Sequence, residues 1–135
     1  MIFVKIAIFS EIYLPYLSGI SSFISVLRKS LISLEVLIIT SSTNVSSTTF
    51  EDGILRCPAK SANNKYGMSL KNSNNQTMLK KILEFNPDII HINTDTAMGK
   101  LGLSIVYLLY ILFRIIMRID FSTKIQKLNL KLELW

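Results

Sequence analysis

The sequence predicts an α/β protein: a partial, Rossmann-like parallel sheet with helices, followed by an apolar C-terminal tail. Three observations carry that expectation. Short apolar runs at residues 2–9, 35–40 and 88–92 have the look of parallel strands, the first of them buried on both faces. Between them, apolar residues recur at three- and four-residue spacing, as on the buried side of a helix. Polar turns follow the strands at residues 10–20, 41–50 and 93–99, and in a parallel sheet those turns share the carboxyl edge, where such sheets bind ligands.

Each element follows from its residues. Ile2 to Phe9, interrupted only by Lys5, forms the first strand. Phe23, Val26, Leu27, Leu31 and Leu34, with Arg28 and Lys29 between them, predict a helix over 21–33 that Ser18 or Ser21 could cap. Glu35 to Thr40 is β-branched and apolar and reads as a second parallel strand, with a loop from Ser41 to Thr49. Strand, helix and strand make one βαβ unit, right-handed by the general rule. Residues 54–58 read as a short edge strand ended by Pro58, and residues 61–76 as a polar, mobile loop. Met78, Leu79, Ile82, Leu83 and Phe85 mark the next helix, which Pro87 stops before a strand from Asp88 to Ile92. Thr94 or Asp95 can cap the helix after it.

A chain of 135 residues suits one domain, and at this size roughly two thirds of the unfolded surface can be buried. Half the residues are hydrophobic, which points to a heavily buried sheet, a membrane contact, or apolar surface that further structure covers. Fifteen Lys and Arg against nine Asp and Glu give a net charge of +6, which either favours anionic partners such as acidic lipid or a nucleotide's phosphates or is an ordinary solubilising surface charge. No basic run interleaved with aromatics occurs, so nucleic acid is not expected as a partner. The single Cys57 excludes an internal disulfide framework, fits a reducing compartment, and reads as a plain buried thiol rather than a nucleophile. Only four apolar residues separate Lys5 from Ser10-Glu11, too few for a signal peptide, so a cytoplasmic protein is expected. Asn44-Val-Ser and Asn75-Gln-Thr match glycosylation sequons, as an Asn- and Ser-rich chain does by chance.

Gly19 stands just ahead of the first helix. It reads either as a loop glycine that needs an unusual backbone angle, or as a gap through which backbone N–H groups approach a phosphate or sugar. A G-x-G-x-x-G run is absent, which removes the main support for a nicotinamide-binding fold. His91, the one histidine, reads either as a core histidine hydrogen-bonded to backbone or as a ligand-touching one. One His and scattered acids form no metal-ligand cluster. Asp88 and Asp95 do not suit an acid/base pair, since an extended chain at about 3.3 Å per residue would hold them roughly 20 Å apart.

Three separated landmarks within residues 5–105 give the chain a family resemblance. Pro15 and Gly19-Ile20, with Ser18 at a customary glycine, match a Pro-x-x-Gly-Gly-hydrophobic loop after the first strand. Leu34-Glu35-Val36 matches a Leu-Gly-His-Glu-Val segment that here lacks Gly-His. Pro87, Asp88, His91 and Thr94 match Pro-Asp-hydrophobic-hydrophobic-His-hydrophobic-His-Thr, with Asn93 in place of the second His. On these motifs the chain resembles the N-terminal domain of retaining family-four glycosyltransferases. The Met98-to-Leu103 stretch is similar to members that transfer glucose to diacylglycerol.

The resemblance implies the N-terminal, acceptor-side half of a GT-B glycosyltransferase at residues 1–105, with an unmatched apolar and basic tail at 106–135. It implies an acceptor- or phosphate-facing loop at Ser18, Gly19 and Ile20, and an acceptor-side cleft at Glu11, His91, Asn93, Thr94, Asp95 and Gly99. No catalytic residue, metal ligand or cofactor is assigned to this chain. A nucleotide-sugar donor is expected of the full-length family, bound by a second domain that a separately encoded partner could supply. The implied partners are a lipid or glycan acceptor and an acidic lipid surface. Transferase activity is not expected of the chain alone.

After Ile105 the resemblance stops, and the residue that the family places near the transferred sugar, a His, has no counterpart. That abrupt loss leads to the expectation of a slipped reading frame or a decayed gene. Residues 105–119 are nearly all apolar, yet the best window, 101–117, is shorter than the roughly 20 residues of a membrane span and holds Arg114. Arg114, Arg118, Lys124, Lys127 and Lys131 instead suit a helix lying on acidic headgroups, or the segment packs on the sheet. The competing functional reading is accordingly a small membrane-associated α/β protein without catalysis.

Overall fold

The computed structural model describes residues 3–61, 68–70 and 75–113. The chain divides into two compact units, Met1–Leu103 and Ser104–Trp135. In the first unit the elements run β1 (Lys5–Ser10), α1 (Gly19–Ser30), β2 (Glu35–Ser42), β3 (Thr49–Glu51), β4 (Ile54–Ser61), β5 (Met68–Leu70), α2 (Asn75–Phe85) and β6 (Ile89–Ile92). Residues 97–113 are helical; those up to 103, here α3, belong to this unit. The sheet order is β3-β4-β2-β1-β6, with β5 paired to β4. β2, β4 and β6 join the sheet parallel to their neighbours, while β3 and β5 run antiparallel to β4. This is the mixed α/β, mostly parallel, Rossmann-like arrangement that the sequence predicts.

The apolar runs make the sheet's two faces. Register sets Ile6 and Ile8 beside Val36 and Ile38, and Ile38 beside Ile54. Ile24, Leu27 and Leu31 of α1 pack on that face together with Tyr13. The alternate residues Ala7, Phe9, Leu37, Ile39 and Leu55 are buried on the opposite face. Fully burying one side chain of this size stabilises by roughly 1.5–3 kcal/mol, so β1, closed on both faces, anchors the fold. The α3 helix reaches the second face at a glycine: a Cβ on Gly102 would stand 2.9 Å from Phe9 Cγ and 3.2 Å from Ile92 Cγ1.

Several boundaries differ from expectation, each for a visible reason. The first helix spans Gly19–Ser30 rather than 21–33, because Ser18 and Ser21 close a reciprocal capping box. Residues 54–58 are not an edge strand. β4 lies inside the sheet and runs through Pro58 to Ser61. Pro58 stands beyond the last β3 pair, Thr49 with Arg56, and before the first β5 pair, Ala59 with Leu70, so on that side no partner lacks its missing N–H. The stretch 61–76 is not loop throughout, since β5 and the start of α2 fall within it; the rest of it, 62–67 and 71–74, lies outside the described residues. β3 and β4 form a hairpin over Asp52-Gly53, both at positive φ (50° and 71°), as a type I′ turn requires. The last helix of this unit begins at residue 97 and not directly after Thr94 or Asp95: the Lys100 N–H donates to the Thr96 carbonyl (2.9 Å), which places Thr96 at the cap position.

The second unit is helical from 104 to 113. Among the described residues no helix is long and apolar enough to cross a membrane. The segment predicted to carry Arg114 to Lys131 onto a lipid surface lies outside the described residues.

Candidate functional site

The strand order locates the site. From β1 the chain steps outward to β2 and then β4, and crosses back to lay β6 on β1's other side. The order therefore reverses between β1 and β6, and in an open parallel sheet the crevice outside the carboxyl ends at that reversal is where ligands bind. Glu11 follows β1 and Asn93 to Asp95 follow β6, so both groups stand at that crevice. The Asn93 N–H donates to the Phe9 carbonyl (3.0 Å), which holds the two strand ends side by side.

On the β1 side the turn is pinned by hydroxyls. The Glu11 carbonyl accepts from Thr40 Oγ1 (3.3 Å) and Ser41 Oγ (2.6 Å), and Ser10 Oγ donates to the Ile12 carbonyl (2.9 Å). Glu11 itself is buried, at 3% exposure. Beyond the turn, Ser18 Oγ accepts the Ser21 N–H (3.1 Å) while Ser21 Oγ accepts the Ser18 N–H (2.8 Å). The N–H, the hydroxyl and the carbonyl of Ser18 are thereby all engaged by the first turn. The N–H groups of Gly19 and Ile20 have no partner among the described residues, and no acidic residue sits in the first turn to offset the helix's positive end.

Gly19 has an ordinary helical backbone angle, and a Cβ there would meet nothing within 4 Å. The reading in which it serves an unusual angle is thus overturned, and packing does not require it either. What a glycine leaves at this position is open access to two backbone donors.

On the β6 side Thr96 Oγ1 bonds to Thr94 Oγ1 (3.2 Å). Gly99 lets the loop fold tightly over the helix start: a Cβ there would lie 1.6 Å from the Thr94 carbonyl oxygen. Gly99 is buried, and its visible role is to let Thr94 take its place. His91 is half-buried on β6, which is the sheet edge among the described residues. Its register with Ile8 puts it on the face that α1 covers farther in. Its side chain makes no hydrogen bond to a described residue, so the core histidine bonded to backbone is not what the structure holds among those residues. Asp88 lies at the opposite end of β6 from Asp95: its Oδ2 accepts the Lys5 N–H (2.8 Å) and its own N–H donates to the Lys5 carbonyl (2.8 Å). Cys57 is buried, and that burial pushes its thiol from 9.0 up to about 12, which suits the inert thiol expected of it. Among the described residues no three His, Cys, Asp or Glu side chains converge as a metal site.

A second concavity was not anticipated. A cleft of about 380 Å³ opens between the β1 turn and the β2–β3 loop, lined by Tyr13, Tyr16, Asn44, Glu51 and Arg56 among others. None of the sequence-predicted site residues lines it. The Asp52-Gly53 pair was the signal that could have found it, because the hairpin it makes lays Thr49 alongside Arg56.

No family model matches the chain, and no solved structure matches it. A curated protein similar to it is the alpha-monoglucosyldiacylglycerol synthase of Acholeplasma laidlawii, 33% identical over 107 residues that make up 75% of this chain and 26% of that protein. The chain thus spans about a quarter of the length of the curated relative it matches. The similarity relates it to a glycosyltransferase.

Proposed function

We propose that this chain is the acceptor-side half of a family-four, GT-B-type glycosyltransferase, presenting a lipid or glycan acceptor to a hexose donor held elsewhere. The observation that supports the reading is Gly19 at the start of α1, after the turn that follows β1, a glycine that neither backbone angle nor packing requires and that leaves two N–H donors open. The similarity to a glucolipid synthase supports diacylglycerol as the acceptor to try first.

In this proposal the Gly19 and Ile20 N–H groups receive an oxygen of the acceptor. Asn93, Thr94 and Asp95 line the crevice between β1 and β6, Gly99 allows Thr94 its close position, and Glu11 and His91 border the strand ends. Transfer needs donor and acceptor held at near-attack distance, and the matched motifs all belong to the acceptor side, so the chain alone does not turn over a nucleotide sugar. A donor-binding domain, which the matched motifs do not include, completes the site. The unmatched stretch 106–135 then reads as the product of a shifted frame. A family-like continuation in another frame of the same locus supports this, and an uninterrupted unrelated sequence removes it.

The test is flotation of the purified chain on phosphatidylcholine vesicles with and without diacylglycerol. Binding that requires diacylglycerol and falls at least about tenfold in Gly19→Val supports the proposal. Binding indifferent to both overturns it.

One observation favours a second reading, a membrane-associated protein without catalysis. Tyr107, Tyr110 and Phe113 are all more than half exposed on helical residues of the second unit. Flotation that depends on acidic lipid, ignores diacylglycerol and disappears in Tyr107→Ser/Tyr110→Ser/Phe113→Ser selects it.

A further inference from the structure

We infer that the cleft between the β1 turn and the β2–β3 loop is a separate binding site for a neutral, hydroxyl-rich ring such as a hexose. It is independent of the crevice at β1 and β6. Its volume of about 380 Å³ lies at the small end of the range for ligand sites, roughly 300–1,000 Å³, and suits one ring.

The lining chooses the chemistry. Glu51 and Arg56 both face the cleft, on neighbouring strands, and among the described residues neither makes an ion pair. A guanidinium offers only donors and a carboxylate only acceptors, so together they serve a ligand whose groups both donate and accept. Hydroxyls do both. A phosphate would be drawn to Arg56 and repelled by Glu51, and a cation the reverse, whereas a neutral polyol meets no like charge.

The remaining walls fit the same ligand. Tyr16 supplies aromatic surface for the apolar face of a ring, the core residue Tyr13 closes the wall behind it, and Asn44 adds an amide that donates and accepts. The site is also braced before any ligand arrives. Tyr16 Oη and Thr43 Oγ1 lie 3.3 Å apart and tie the β1 turn to the β2–β3 loop. The Asn44 N–H donates to Ser42 Oγ (3.2 Å), and Arg28 Nη2 donates to the Asp52 carbonyl, joining α1 to the hairpin that carries Glu51.

The experiment is a titration of the isotopically labelled full chain with methyl α-glucoside, followed by amide and side-chain NMR, with inorganic phosphate as a second probe. The expected result is saturable shifts confined to Tyr16, Asn44, Glu51 and Arg56. Affinity should fall about tenfold in Asn44→Ala and in Tyr16→Ala, and much less in Tyr16→Phe, which keeps the ring. Asn44 is exposed, so its substitution tests the site without threatening the fold. Phosphate should leave these signals unmoved. Saturable phosphate shifts at Arg56, or glucoside shifts spread over the surface and unchanged in Asn44→Ala, overturn the inference. Diacylglycerol-dependent flotation persists in Asn44→Ala, which separates failure of this site from failure of the acceptor crevice.

Discussion

Replacing Gly99 with alanine adds one methyl group where the structure has no room for it. The new Cβ would lie 1.6 Å from the Thr94 carbonyl oxygen, 2.7 Å from the Thr94 carbonyl carbon and 3.3 Å from Ile92 Cγ2. Ordinary contact begins near 3.4 Å, so the two backbones must part by about 1.8 Å. The nearest atoms are backbone and not a side chain that could rotate away. Overpacking of this kind typically costs about 1–3 kcal/mol, and a backbone obstacle places Gly99→Ala at the upper end. That is a large share of the roughly 5–15 kcal/mol that holds a domain together. With a urea dependence of about 1–3 kcal/mol per molar, the unfolding midpoint should fall by about 1–3 M. The drop is read by circular dichroism against the wild-type chain. Thr94 also stands at the crevice, so the diacylglycerol binding proposed there should fall with stability. A midpoint within about 0.2 M of wild type would refute the claim that Gly99 is there to admit the Thr94 carbonyl.

Gly19→Ala should act in the opposite direction. The added methyl meets nothing, helical glycine is disfavoured against alanine, and the chain should gain up to about 1 kcal/mol of stability while binding diacylglycerol vesicles less well. Stabilisation with unchanged binding would remove Gly19 from the site. Cys57 should resist thiol reagents at pH 8 in the folded chain and react on unfolding, because burial raises its pKa to about 12. Above pH 9 the unfolded thiol loses its proton first, so the unfolded state binds fewer protons and stability falls as pH rises, by about 1.4 kcal/mol per pH unit. The difference in urea midpoint between wild type and Cys57→Ala, followed from pH 8 to 10, isolates that slope from other titrating groups, and a constant difference would contradict it.

The strands buried in the sheet were the legible part of the sequence. β1 and β2 announce themselves as apolar runs because both their faces are closed, and α1 shows its buried side as a helical stripe. β3 and β5 are three residues each, too short for any periodicity, and their partner is set by a turn and not by hydrophobicity. Pro58 misled because a proline usually ends a strand, whereas here it falls where one antiparallel neighbour stops and another begins. The helix starts were blurred by runs of hydroxyl residues. Ser18 and Ser21 are both competent caps, and only the three-dimensional turn decides that one caps and the other reciprocates. At the crevice, sequence could put Glu11 and Asn93 to Asp95 on one edge. It could not show that the reversal of strand order falls between them, since that depends on which side of β1 the last strand lands.

The most direct test of the crevice as the proposed acceptor site is amide NMR of the full chain titrated with a short-chain diacylglycerol dispersed in phosphatidylcholine nanodiscs. Diacylglycerol-dependent shifts at Gly19, Ile20, Asn93, Thr94 and Asp95 are predicted, and Gly19→Val should abolish them. Shifts limited to the exposed helical residues Tyr107, Tyr110 and Phe113, equal with and without diacylglycerol, would contradict the crevice as the binding site and leave the chain a membrane-surface protein.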